Sequence, residues 1–345
     1  MKSAVLTGIR KIEIREIPSP QLENKADVLL KPAVIGICGS DLHYYLKDRV
    51  GDQVVQYPWT LGHECSALVE RVGRRVTRLK PGDKVAVDPA VSCKKCDQCL
   101  AGRPHTCRNL RFLGYPGQRE GCLSEFTVMP EGNCYPLPKG MTLVQGALVE
   151  PLSIGIYSVQ LAEDIKDKSI GILGSGSIGL SVLLATKASG AGSVYMTDKI
   201  DERVYTAKKA GADWAANPDQ SDIIKDIQAE EPSGLDIVFE CCGDQAALDQ
   251  ALELLKPGGK LLILGIPMAP RVSFEISKLR RKEISVQNVR RQNRCIEAAI
   301  GLIVNKKVHV NFMATHFFKL EETLKAFEIA SGYQNGVIKA MITLT

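Results

Sequence analysis

The sequence predicts an α/β protein with two domains of different character, a β-rich part followed by a parallel sheet covered by helices. Three observations carry this. A length of 345 residues suits two domains, each large enough to bury its own core. Up to about residue 150 the chain reads as short strands between Gly/Pro turns. From Lys168 onward, apolar strands and helical patterns alternate.

In the first part, Val28–Val34, Ser66–Val72 and Lys84–Val87 are strand-like runs bounded by breakers such as Lys80-Pro81-Gly82-Asp83. In the second part, the strand Ile170–Leu173 leads into a helix from Ile178, and Val194–Thr197 into a helix over Asp201–Ala210. Leu235–Phe239 leads into a helix over Gln245–Leu255, and Leu261–Leu264 is a further strand. Two more helical patterns follow, Arg294–Val304 and Leu320–Ala330, with a strand near Val337–Thr343. The uncharged stretch Ser169–Thr186 is nearly long enough to span a membrane. Gly171, Gly174, Gly176 and Gly179 interrupt it, and it reads instead as strand, tight turn and buried helix.

A formal net charge of +5 is mild for this length and points to neither a nucleic-acid nor a membrane surface. Met1–Pro18 is polar and strand-like, without the apolar stretch and small-residue cleavage site of a secretory signal. The eleven cysteines are an odd number, so a cytoplasmic protein with free thiols is expected.

Two motifs carry chemistry. Cys93, Cys96, Cys99 and Cys107 are spaced Cys-x2-Cys-x2-Cys-x7-Cys, which can place four thiolates around one zinc at about 2.3 Å. Disulfides are the rival reading of these cysteines. Such a zinc has no open position, so it stabilises a lobe at about 90–110 and does no chemistry. The second motif, Gly174-Ser175-Gly176-Ser177-Ile178-Gly179, follows an apolar strand and opens an apolar helix, the setting of a dinucleotide-binding turn. Gly174 would make the turn, Gly176 admit the pyrophosphate, and Gly179 bring helix and strand together, with the phosphates at the helix start near Ile178. Asp198 ends the second strand nineteen residues beyond Gly179, where a carboxylate accepts both ribose hydroxyls and repels a 2′-phosphate, favouring NAD. Lys199 and Arg203 beside it bear on that choice. The alternative is a Gly-rich turn in another α/β fold, with Asp198 capping the next helix.

Further segments are ordinary singly: Gly36-Ile37-Cys38-Gly39-Ser40-Asp41-Leu42-His43-Tyr44, Leu61-Gly62-His63-Glu64, and Gly146-Ala147-Leu148-Val149-Glu150-Pro151-Leu152-Ser153. Together with the four-cysteine lobe and the glycine turn, in this order, they make the chain resemble the zinc-containing medium-chain alcohol dehydrogenases. Within that superfamily it is similar to the sorbitol (L-iditol) and xylitol dehydrogenase branch. The resemblance implies a β-rich, GroES-like zinc-binding domain over 1–151 and 290–345, with a doubly wound Rossmann NAD domain inserted at 152–289 and the active site in the cleft between them. It also implies two zincs per chain, NAD, and a homo-oligomer, tetramer or dimer. Sheet edges near Val272–Phe274 and Ile284–Asn288 would pair across subunits.

The resemblance assigns roles as well. A catalytic zinc would be held by Cys38, His63 and a carboxylate, with one position open to substrate. Many relatives use a second cysteine; here Glu64 is expected as the resting ligand and Glu150 as an alternating ligand or the holder of a water. Asp41 would fix the His63 tautomer, or else cap a loop. A polyol alcohol held on zinc loses its proton readily, and the alkoxide gives hydride to the nicotinamide, yielding the ketose. Ser40 would pass the proton toward His43, which otherwise is a plain surface histidine. Tyr44, Glu150 and Arg290 would contact the polyol. Arg291 and Arg294 crowd Arg290, which raises an anionic substrate, a polyol phosphate or sugar acid, as an alternative. A non-catalytic binding relative and a zinc-free quinone reductase are the other readings; intact Cys38, His63 and glycine turn argue against the first, and the four-cysteine lobe with Gly62-His63-Glu64 against the second.

Overall fold

The computed structural model describes residues 1–344. The chain divides into two compact units, one of Met1–Glu150 together with the chain from Ile296 onward, the other of Pro151–Cys295. Pro151 and residues 290–295 thus group with the second unit, a little outside the limits at 152 and 289 expected from the sequence.

The first unit is built on a seven-stranded sheet. Across it run Cys134–Pro136, Lys84–Val87, Glu64–Val72, Asp27–Gly36, Lys339–Thr343 and Ala314–Lys319, and Thr127–Pro130 also pairs with Asp27–Gly36. The central strand Asp27–Gly36 is buried throughout apart from Lys31, which is why it reads as a near-continuous apolar run. Its antiparallel neighbours set Glu64 opposite Gly36 on one side and Met341 opposite Gly36 on the other. Leu30, Ile35, Tyr45, Met129 and Phe327 lie in the apolar core of this unit. Burying each stabilises by about 1.5–3 kcal/mol before the entropy cost.

In the second unit six parallel strands lie in the order Trp214–Ala216, Val194–Thr197, Ile170–Leu173, Leu235–Glu240, Leu255–Ile263, Ser285–Asn288. In chain order that is 3-2-1-4-5-6, the doubly wound arrangement whose order reverses between Ile170–Leu173 and Leu235–Glu240. Ile170–Leu173 and Val194–Thr197 are buried at every position, as strands covered on both faces must be.

Several elements differ from the sequence reading. Val272–Phe274 forms no strand, and the edge of this sheet is Ser285–Asn288, exposed at all four positions. Among the described residues five α-helices went unread: Gly39–Lys47, the 20-residue Leu143–Ala162, Asp97–Leu100, Ile223–Glu230 and Ile276–Lys282. Gly146, Pro151 and Gly155 obscure the second, because glycine is a poor helix former and proline removes a ladder hydrogen bond. The helical pattern Leu320–Ala330 starts as a 3-10 turn over Leu320–Glu322 before the helix Thr323–Ser331. Among the described residues no helix is long and apolar enough to cross a membrane.

Candidate functional site

In the first unit, Cys38 stands between the end of the strand Asp27–Gly36 and the start of the helix Gly39–Lys47. His63 immediately precedes the strand that begins at Glu64. Gly62 makes that entry possible: its φ is +94°, and a Cβ there would stand 2.9 Å from Leu123 Cγ. One donor atom each from Cys38, His63 and Glu64 lies within 4.8 Å of the other two. Thiolate, imidazole and carboxylate at this spacing could hold a zinc ion and leave a fourth position open.

Asp41 stitches these segments together from a site only 1 % exposed. Its Oδ2 accepts from the Cys38 amide at 3.1 Å, while Oδ1 lies 3.4 Å from the Gly62 amide and 3.5 Å from His63 Nδ1. It therefore makes both the cap bond and the histidine contact. Engaging Nδ1 leaves Nε2 as the ring nitrogen available to a metal. Burial alone would lower the His63 pKa, but Asp41 and Cys38 beside it carry it well above the ordinary value.

Lys339 was not anticipated. Its Nζ donates to Glu64 Oε2 at 2.5 Å and to the Ile37 carbonyl at 3.3 Å, and both members of the ion pair are 1 % exposed. Burial would lower its pKa, yet Glu64 and Cys38 hold it above the usual lysine value, so it is charged. The available signal was a single cation in the apolar run Val337-Ile338-Lys339-Ala340-Met341-Ile342, where a buried charge requires a partner. Glu64 Oε1, by contrast, is buried with no hydrogen-bond partner among the described residues. A carboxylate oxygen in that state fits a metal ligand, since an ion would satisfy it.

Glu150 sits in the helix Leu143–Ala162, buried, and is not part of the 4.8 Å group. Burial and then the neighbouring Glu64 push its carboxyl up to about 7, against the pull of His63 and Lys339. Gly146 lets this helix approach the sheet, because a Cβ there would stand 2.9 Å from Ser66 Cβ; Ser66 Oγ donates to the Leu143 carbonyl at 2.6 Å.

Ser40 and His43 lie on the helix Gly39–Lys47, both half-buried. Burial, with a smaller push from Lys47, holds His43 below the ordinary histidine pKa, so it is neutral at pH 7. Tyr44 is 1 % exposed and packs edge-on against Tyr115, with ring centroids 6.0 Å apart. In the second unit Arg290 and Arg294 are exposed and Arg291 is half-buried.

The four cysteines converge as well. The sulfurs of Cys93, Cys96, Cys99 and Cys107 lie within 4.8 Å of one another, with Cys96–Cys99 at 3.6 Å and Cys96–Cys107 at 3.8 Å. Disulfide bonds require about 2.05 Å, so these thiols are unpaired and spaced for a metal. Backbone amides, that of Lys95 first, lower the Cys93 thiol to about 6, and those of Cys99 and Arg108 lower Cys96; burial raises Cys107 to about 11.

In the second unit the glycine turn has the form its spacing predicts. Gly174 takes φ +102°, and a Cβ on Gly179 would collide with the Gly174 carbonyl, so close helix–strand packing demands glycine. The helix opened by Ser177 and Ile178 is Ser177–Ala188, with Gly176 as its N-cap. Asp198 Oδ2 accepts from the Ser175 amide at 2.7 Å and Oδ1 from the Ile200 amide at 3.0 Å. The carboxylate thus tethers the glycine turn to the residue before the helix Asp201–Lys209, whose first turn it does not cap. Arg203 Nη1 would be 3.5 Å from a Cβ on Gly176, while Lys199 pairs with Asp244 at 3.4 Å.

Comparison with known proteins agrees with this geometry. Residues 24–139 match the alcohol dehydrogenase GroES-like domain family, and residues 177–305 match the zinc-binding dehydrogenase family. Sorbitol dehydrogenase of Bacillus subtilis is 34 % identical over 99 % of this chain and 97 % of its own length. L-Idonate 5-dehydrogenase of Vitis vinifera is 31 % identical over 99 % of this chain and 94 % of its own. The crystal structure of galactitol-1-phosphate dehydrogenase from Escherichia coli superposes with a TM-score of 0.90 at 28 % identity, covering 99 % of this chain and 100 % of that one. A donor cluster and a dinucleotide turn of the expected form, with full-length relatives of this kind, place the chain in the zinc-containing medium-chain alcohol dehydrogenase superfamily, in its polyol dehydrogenase branch, as an oxidoreductase.

Proposed function

We propose that the protein oxidises a secondary hydroxyl of a polyol of the sorbitol or xylitol kind to the ketose, with NAD as hydride acceptor. The observation that carries this is the convergence of Cys38, His63 and Glu64, with a buried Glu64 oxygen lacking any other partner. These three residues would hold a catalytic zinc, with Glu150, outside the close donor group but electrostatically coupled to Glu64, as the alternating ligand or the holder of a water. When bound, zinc supplies a Lewis acid that favours ionisation of the substrate hydroxyl. Cys93, Cys96, Cys99 and Cys107 would hold a second, structural zinc.

The remaining steps belong to the chain. Asp41 keeps His63 in the orientation that serves the metal. Ser40 takes the proton leaving the substrate hydroxyl and hands it toward His43, which is neutral and able to accept it. Gly174, Gly176, Ile178 and Gly179 receive the pyrophosphate. Asp198 accepts the adenosine ribose hydroxyls and disfavours a 2′-phosphate, and Arg203 lies beside Gly176. Arg290 is the candidate substrate contact from the second unit. The GroES-like domain at both ends of the inserted NAD domain, a homo-oligomer with Ser285–Asn288 as a pairing edge, and a cytoplasmic setting complete the reading.

A second reading is favoured by exposed Arg290 and Arg294 and by relatives named for a sugar acid and a polyol phosphate: the same chemistry on an anionic polyol. One panel separates the two. Initial rates with sorbitol, xylitol, their phosphates and the corresponding sugar acids, each with NAD and NADP, should show turnover of neutral polyols with NAD. A large kcat/KM preference for the phosphate or acid selects the second reading. His63→Ala should leave a folded chain with one zinc and no dehydrogenase activity; full activity in that variant rules out the catalytic assignment.

A further inference from the structure

The buried pair between Lys339 and Glu64 is unexplained by hydride transfer alone. Replacing a buried ion pair by apolar side chains is often neutral for stability, so its presence points to another use. The pair fills the space over Gly36, where a Cβ would collide with Glu64 Oε2 and stand 3.1 Å from Lys339 Cδ. Lys339 occupies Oε2 alone, and Oε1 is left without a hydrogen-bond partner among the described residues.

We propose that Lys339 is a positioning residue of the metal centre: by holding Glu64 Oε2 it restricts that carboxylate to one donor oxygen and offsets one negative charge beside the metal. This rests on the reading of Cys38, His63 and Glu64 as zinc ligands. A thiolate and a carboxylate together neutralise a divalent ion, and a fixed ammonium returns the site to net positive. Positive charge is what stabilises an ionising hydroxyl, so the lysine preserves the acidity that its neighbours would otherwise quench. The second Glu64 oxygen is also kept away from the open position that substrate needs.

The test uses the full-length chain loaded with cobalt(II), whose visible bands are intense for four-coordinate ions and weak for higher coordination. The His63→Ala spectrum, reporting the four-cysteine lobe alone, is subtracted. Wild type and Lys339→Arg should show intense difference bands with a thiolate charge-transfer feature. In Lys339→Met the bands should weaken as the freed Glu64 oxygen joins the ion, and metal release to a chelator should slow by about tenfold, the reverse of the affinity loss that removing an ordinary outer partner brings. Identical spectra and release rates in Lys339→Met and wild type overturn the proposal. If the wild-type difference spectrum is empty, the ligand reading itself is at fault. Should Lys339→Met fail to fold, a zinc-loaded crystal structure of the unaltered chain decides. Oε1 on the metal with Oε2 on Lys339 supports the proposal, and both oxygens on the metal, or Lys339 turned away, overturns it.

Discussion

Replacing Asp41 by asparagine tests how one buried carboxylate couples local stability to metal affinity. The change keeps size and shape but removes the charge and converts one oxygen to a donor. The bond from the Cys38 amide, 3.1 Å long, would pass from charge-assisted to neutral, a loss of about 1 kcal/mol. The oxygen 3.4 Å from the Gly62 amide and 3.5 Å from His63 Nδ1 would become an NH2 group. That leaves a buried N–H without its acceptor, a cost of about 1–2 kcal/mol. The sum, about 2–3 kcal/mol, should appear as a lower urea midpoint with unchanged slope. His63 would also lose the partner that fixes its ring, and zinc affinity measured against a chromophoric chelator should fall about 10–100-fold. A folded Asp41→Asn protein that binds zinc as tightly as wild type would refute the idea that Asp41 orients His63.

Cys99→Ser should reduce zinc from two to one per chain and leave the 93–107 lobe open to limited proteolysis, with unfolding or dissociation of the protein; retention of both metals counts against the structural site. Asp198→Ala removes the acceptor of two backbone amides at 2.7 and 3.0 Å and the expected ribose contact, so KM for NAD should rise about tenfold or more while discrimination against NADP shrinks. An unchanged NAD/NADP ratio would show that specificity lies elsewhere. Asp236 accepts from the Ser169 amide at 2.9 Å and pairs with Lys256 at 2.5 Å. Burial alone would raise its carboxyl pKa, but these partners hold it below the ordinary value, so its stabilising contribution is present above the unfolded-state pKa and is lost as pH falls through the folded one. The difference in urea midpoint between wild type and Asp236→Asn should therefore be full at pH 7 and shrink on acidification; a constant difference contradicts it.

The strands Ile170–Leu173 and Val194–Thr197 were readable residue for residue, because a strand buried on both faces is a short apolar run closed by glycine or aspartate. The cysteine lobe and glycine turn were equally readable, since close backbone approach and tetrahedral ligation constrain spacing directly. Gly39–Lys47 was not, because its first turn is capped by Asp41 from inside the helix and Cys38 holds the N-cap position where Ser, Thr, Asn or Asp is the usual signal. Leu143–Ala162 was hidden by its own proline and glycines, whose cost is met by tertiary packing such as that of Gly146 on Ser66. Val272–Phe274 has strand-like composition but no partner strand, and composition alone could not reveal that. Lys339 belongs to a pairing that no local pattern encodes, since its partner is 275 residues away.

That separation has a consequence for how the protein matures. Cys38, His63 and Glu64 leave the ribosome early, whereas the strand that delivers Lys339 follows only after the whole parallel-sheet unit has been made. Contacts this distant in sequence form slowly, because the intervening chain must be ordered before they contribute. A nascent chain therefore exposes a thiol, an imidazole and an uncompensated carboxylate for most of its synthesis. Metal captured in that interval would meet a ligand set without the Lys339 ammonium, so the order of strand docking and metal loading would bear on which ion is kept.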